Sequence, residues 1–123
     1  MATILIVEDE EDIRAVYSEV LRDAGYSVIE AADGISASTQ ALGSSWDVML
    51  LDIMLPGKDG MQVLTETRSE PKNAKKPIIL LTNLGNENVI TRCFDLGADG
   101  YLIKSEITPD KIVEEVKSFL EKQ

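Results

Sequence analysis

Four short, unbroken apolar runs constrain the fold more than any other feature of the chain: Ile4-Leu5-Ile6-Val7, Val48-Met49-Leu50-Leu51, Ile78-Ile79-Leu80-Leu81 and Tyr101-Leu102-Ile103. Each is too short for a buried helix and is bounded by polar or turn residues. A continuous run, as opposed to an alternating one, suits a strand covered on both faces, as in a parallel sheet. Ser27-Val28-Ile29-Glu30 is a weaker run that fits an edge strand. Helical patterns lie between the runs. Ile13, Val16, Tyr17, Val20, Leu21 and Ala24 recur at helical spacing, and Gly25 ends the pattern. Asp9 or Glu10 is a candidate cap for this helix. Further helices are expected near 34–43, with Ile35, Ala41 and Leu42 as its apolar cues, and near 59–69, with Met61, Val63 and Leu64. Another is expected near 86–96, carrying Cys93 on its apolar stripe, and a last one carries Ile112, Val113, Val116, Phe119 and Leu120. Thr108 is placed to cap the last helix, with Pro109 at its first position. Strand and helix alternate five times, which implies right-handed crossovers and an α/β fold with helices on both faces of a parallel sheet.

The length of 123 residues fits one domain, residues 1–123, and a core of this size needs no staples. A net charge of −10 argues against direct binding to nucleic acid or to an anionic membrane. One cysteine excludes an internal disulfide and fits a reducing compartment, and the absence of histidine removes the commonest general base and metal ligand. No apolar stretch approaches the ~20 residues of a membrane helix, and a cytoplasmic location is expected. The Pro-bracketed basic stretch from Glu70 to Pro77 reads as solvated surface, and Trp46 and Met61 read as packing residues.

The chemistry lies where the strands end. Glu8 and Asp9 follow the first, Asp52 the third, Thr82 the fourth and Lys104 the fifth. Ligands of open α/β sheets bind at the carboxyl ends of strands, so these residues are expected to converge. Three carboxylates packed together repel unless one takes a proton or a cation intervenes. An all-oxygen site suits Mg²⁺, which also pairs with phosphate oxygens. A carboxylate can then act as nucleophile toward phosphorus, with Lys104 and the Thr82 hydroxyl on the remaining oxygens.

Ile4-Leu5-Ile6-Val7-Glu8-Asp9-Glu10, the segment from Leu51 to Gly60, Leu81-Thr82-Asn83 and the segment from Gly97 to Lys104 resemble the receiver domains of two-component response regulators, including single-domain chemotaxis-type receivers. The resemblance runs from Thr3 to about Leu120. It implies a flavodoxin-like (βα)5 fold with strand order 2-1-3-4-5. It implies Asp52 as phosphoacceptor, with Mg²⁺ held by Asp9 directly, by Glu8 through water, by Asp52 and by the backbone carbonyl of Met54. Thr82 is then the switch hydroxyl, Lys104 the phosphoryl partner and Tyr101 the aromatic that turns inward. The implied donor is a histidine kinase or histidine phosphotransfer protein, docking against the first helix. The implied output is a changed surface on the fourth helix, fifth strand and fifth helix, read by a protein target or an effector domain. Homodimerisation on phosphorylation stays open. So does the choice between a stand-alone receiver and a piece of a longer regulator.

Four positions set this chain apart within the family. Ser105 stands where a proline with a cis bond is usual, so the turn there is expected to be trans and differently shaped. Asn83 replaces a small residue and restricts access. Met54 and Leu84 occupy the two positions that tune hydrolysis, and neither side chain can position a water, so a long-lived phosphoaspartate is expected. Competing readings are weaker. An aspartate-nucleophile phosphatase needs an acid two residues past the nucleophile, where Met54 stands. A nucleotide or flavin module needs a Gly-rich turn after the first strand, where Glu8 and Asp9 stand. The chain is thus expected to be a switch module and not an enzyme with an external substrate.

Overall fold

The computed structural model describes residues 2–83 and 87–122. Five strands alternate with five α-helices: β1 (Thr3–Val7), α1 (Glu11–Asp23), β2 (Ser27–Ala31), α2 (Gly34–Gly43), β3 (Val48–Asp52), α3 (Gly60–Ser69), β4 (Ile78–Thr82), α4 (Glu87–Asp95), β5 (Gly100–Ile103) and α5 (Pro109–Glu121). The strands form one parallel sheet in the order β2-β1-β3-β4-β5, the flavodoxin-like order that the resemblance implies. The weak second run lies at an edge, as its composition suggests.

The continuous apolar runs follow from the two-sided sheet. Alternate residues point to opposite faces. Leu5, Val7, Met49, Leu51, Ile78 and Leu80 pack under α2, α3 and α4 through Ala37, Ala41, Val63, Leu64 and Cys93. Ile4, Ile6, Val48, Leu50, Ile79 and Leu81 pack under α1 and α5 through Tyr17, Leu21, Ile112 and Val116. The helix faces switch between β1 and β3. This opens a crevice at their carboxyl ends.

Local chemistry sets the helix ends. Asp59 forms a reciprocal capping box with Gln62 at the start of α3. The Thr108 hydroxyl accepts from Lys111 N–H, with Pro109 in the first turn of α5. At α1 the expected side-chain cap is absent. Glu10 is the N-cap residue and makes no side-chain bond, while its own N–H donates to the Glu8 carboxylate, 3.1 Å away. In α2 two of the three apolar cues mislead, since Ile35 is 65% and Leu42 38% exposed while Ala41 is buried. The buried residues there are small, Gly34, Ala37, Ser38 and Ala41, as close packing requires. At Gly34 a Cβ would lie 1.7 Å from the Lys58 carbonyl oxygen.

The loop from Glu70 to Pro77 is only partly solvated. It contains a 3-10 turn (Pro71–Asn73), and buried Asn73 donates to the Ala41 carbonyl. Arg68 holds the loop at the sheet's amino edge. Its guanidinium donates to the carbonyls of Gly97, Asn73 and Lys76 and to Asp99 Oδ2, at 2.7–3.0 Å. Arg68→Met strips several part-buried acceptors of their donors at once. It is expected to lower stability by roughly 2–3 kcal/mol in urea titrations. A change within experimental error would contradict the clamp.

Candidate functional site

β1, β3 and β5 deliver their polar residues to one edge of the sheet. Asp52 is the last residue of β3 and is 2% exposed, while Glu8, immediately after β1, is fully buried. Lys104 opens the short 3-10 turn after β5. Its ammonium lies 2.7 Å from Glu8 Oε1 and 2.8 Å from Asp52 Oδ2. Only the Asp52 contact has hydrogen-bond direction. Glu8 Oε1 is therefore a buried oxygen held by proximity to a charge, without a directed donor. Asp52 Oδ1 accepts from Met54 N–H at 3.0 Å. Asp9 is exposed beside this buried pair. Glu8, Asp9 and Asp52 each offer a carboxylate oxygen within 4.8 Å of the others.

The loop bearing the acids is tied down from α1. Arg14 donates to the Glu8 carbonyl at 2.8 Å and to Glu30 on edge strand β2 at 3.1 Å. Glu30 is shared with Arg22. Glu8 N–H donates in turn to the Ala31 carbonyl. The Glu8 backbone is thus fixed on both sides, which limits where Asp9 can go.

The electrostatics are under-compensated, with one ammonium against three carboxylates. Burial pushes the Glu8 and Asp52 carboxyls above their ordinary values, and the Lys104 ammonium beside them offsets this only in part. Burial works to lower the Lys104 pKa, but its contacts with Asp52 and Glu8 prevail and raise it. Burial, then the Glu8 charge, raises the phenol of Tyr17 on α1. An all-oxygen set with two buried carboxylates, a third at the rim and an undirected oxygen fits a hard divalent cation such as Mg²⁺.

The remaining candidates lie around this cluster. Thr82, 1% exposed at the end of β4, donates its hydroxyl to the Asn83 carbonyl at 3.1 Å. Tyr101 points outward, 47% exposed, and meets Phe94 of α4 edge-on with ring centroids 6.2 Å apart. The Met54 side chain is 64% exposed. Leu84 lies outside the described residues. No cis peptide bond occurs among the described residues, so the turn at Ser105 is trans. Buried Cys93 has its thiol pKa pushed up by burial and stays on the apolar stripe, away from this chemistry.

An open parallel sheet with an acidic crevice at a strand switch and a lysine across it defines an α/β module with a cation-collecting site at the carboxyl ends of its strands. The chain belongs to the response regulator receiver domain family, which it matches over residues 4–117. It is 36% identical over 117 residues to the transcriptional regulatory protein ResD of Bacillus subtilis and 38% identical to SrrA of Staphylococcus aureus. These alignments cover 95% of the chain but 47% of either relative, so the chain spans about half their length. The chemotaxis protein CheY4 of Vibrio cholerae superposes with a TM-score of 0.90 at 31% identity, over 98% of this chain and 99% of that one. The receiver domain of sensor histidine kinase PA1611 from Pseudomonas aeruginosa superposes at 0.88 with 30% identity over 98% of both chains. That structure has a magnesium ion coordinated in its active site cleft. The chain is a receiver module of two-component signalling, and no described helix is long and apolar enough to cross a membrane.

A carboxyl whose folded pKa is raised binds more protons folded than unfolded between its ordinary and raised values. Metal-free stability therefore falls as pH rises through that interval, which begins at 3.8 for Asp52 and 4.5 for Glu8. Asp52→Asn removes one of these ionisations at nearly constant shape. Without divalent cation at neutral pH, its thermal midpoint is expected to exceed that of the parent. The gain should vanish below the ordinary aspartate range, where Asp52 is protonated in both states. An equal or lower midpoint at neutral pH would contradict the electrostatic reading.

Proposed function

We propose that the whole chain, residues 1–123, acts as one cytoplasmic receiver that accepts a phosphoryl group on Asp52 and changes its surface in response. The observation that carries this reading is the position of Asp52. It is buried at the end of β3, with Lys104 on one oxygen, a backbone N–H on the other and two more carboxylates within 4.8 Å. Asp9, Asp52 and the Met54 carbonyl would hold Mg²⁺, with Glu8 acting through water. The ion, when bound, neutralises charge on the transferring group.

An Asp52 oxygen attacks the phosphorus of a phosphohistidine as the P–N bond breaks. The imidazole leaves with the bond's electrons and takes up a proton, and an aspartyl phosphate remains. Lys104 already sits on the Asp52 carboxylate and needs little movement to pair with a phosphoryl oxygen. The Thr82 hydroxyl, which donates to the Asn83 carbonyl, would exchange that acceptor for a phosphoryl oxygen. Inward movement of Thr82 then leaves space for Tyr101, whose outward ring packs on exposed Phe94. The α4–β5–α5 face, with these two rings on it, is the output surface for a protein target or effector domain, and a homodimer through this face is one form of output. The donor is a histidine kinase or histidine phosphotransfer protein. Val16 on α1, 44% exposed, suits an apolar docking contact with it.

The chain is a switch and not an enzyme with an external substrate, and its own dephosphorylation is slow. Asn83 stands at the rim, and the exposed Met54 side chain has no group to orient water or take its proton. After loading with excess phosphoramidate and Mg²⁺ and removal of the donor, acid-labile phosphate should decay with a half-life of minutes or longer. Decay within seconds would contradict this. Phosphate release that stays linear in time well beyond one equivalent would favour the phosphatase reading instead.

A further inference from the structure

At the edge of the sheet opposite the acids, the loop before β4 and the end of α5 enclose an open groove of about 850 Å³. This lies in the size range of ligand clefts. Its floor is apolar, built from Pro71, Ala74, Pro77 and the Phe119 ring. Four of the chain's 12 basic residues line it, Lys72, Lys75, Lys76 and Lys122, with Asp99 as the one acid. In a chain of net charge −10, that local excess is the reverse of the whole.

The charges are only partly used. Asp99 Oδ2 already accepts from Arg68 and from Ile78 N–H. Lys72 donates one bond, to the Leu42 carbonyl. Lys76 and Lys122 lie over aromatic rings, 4.8 Å from the Trp46 centroid and 4.9 Å from that of Phe119. None of these three lysines is within ion-pair distance of a carboxylate among the described residues, unlike Lys58, Arg68 and Lys104. Burial, and the neighbouring Lys72 charge against a counteracting Asp47, lowers the Lys76 pKa, which an anion would relieve.

We propose that this groove docks an acidic, partly apolar polypeptide segment of a partner protein. The chemistry favours a peptide over a compact phosphate ligand. Bidentate phosphate recognition uses a guanidinium fork, and the adjacent guanidinium, Arg68, is committed to three carbonyls and Asp99. Lysines on flexible stems on both sides of an apolar trough suit carboxylates spaced along an extended chain, with apolar side chains between them. The groove touches α5 and Asp99, just before β5, but lies at the opposite end of the strands from Asp52. A partner can therefore stay docked through phosphorylation.

The test is fluorescence anisotropy with a fluorescein-labelled octapeptide alternating Glu and Leu. The intact chain is compared with K72E/K76E/K122E and with the charge-matched control R92E/K111E/K117E. The intact chain should bind saturably, and binding should weaken as salt rises. The groove variant should lose about tenfold or more in affinity and the control about threefold or less. Lys122→Glu alone, at an exposed residue of the last helical turn, serves if the triple variant does not fold, with a several-fold loss expected. Equal losses in both triple variants would overturn the proposal in favour of general charge attraction. So would no saturable binding, or displacement of the peptide by pyrophosphate or by a thymidine oligonucleotide at lower concentration than by unlabelled peptide.

Discussion

The Lys104 ammonium, lodged between Glu8 and Asp52, is the contact on which the site depends. Two carboxylates buried at adjacent strand ends cannot both stay ionised without a cation between them. Lys104 supplies that cation from a strand two places away in the sheet. Its position requires β5 to pair with β4 in register, which in turn requires Gly100 opposite Ile79 and Leu102 opposite Leu81. The sheet and the site thus specify each other. Compensation is nevertheless incomplete, because the third carboxylate, Asp9, has no ammonium of its own among the described residues. The surplus negative charge attracts a divalent cation, and it also makes the metal-free site electrostatically strained.

The two ends of the sheet divide the work. At the carboxyl end, polar groups are buried under strain and aimed at a crevice. At the amino end, Arg68 satisfies three carbonyls from two separate segments with one side chain and so fixes where β4 and β5 begin. A rigid amino end would let the carboxyl end rearrange, as the proposed switch requires, without loss of register. Natural proteins commonly retain destabilising groups at functional sites when the rest of the fold supports them. Here the support is a core in which the inner strands β3 and β4 are buried at every residue.

Much of this was legible in the sequence, for physical reasons. The unbroken apolar runs fit strands covered on both faces, which three of the four are, while edge strand β5 leaves Tyr101 exposed, and the polar residue ending each run marks the carboxyl edge by chain direction alone. Thr108-Pro109 announced the start of the last helix through local chemistry, while the Asp59–Gln62 capping box emerged only in the structure. What stayed hidden depends on long-range geometry. Arg14 and Arg68 look like solvated helix residues in the sequence, and only the fold shows the carbonyls they reach, 6 and 29 residues away. Ile35 and Leu42 misled because α2 packs so closely that its buried face takes small residues. Lys76 and Lys122 lie far apart in the chain, and a groove between them exists only once α5 has packed on the sheet.

The most direct test of the central claim is an intact mass after incubation with Mg²⁺ and acetyl phosphate, with Asp52→Ala and a Mg²⁺-free sample alongside. The account predicts one phosphoryl adduct, present in the parent and lost in both controls. An adduct that persists in Asp52→Ala, or that forms equally well without divalent cation, would contradict it.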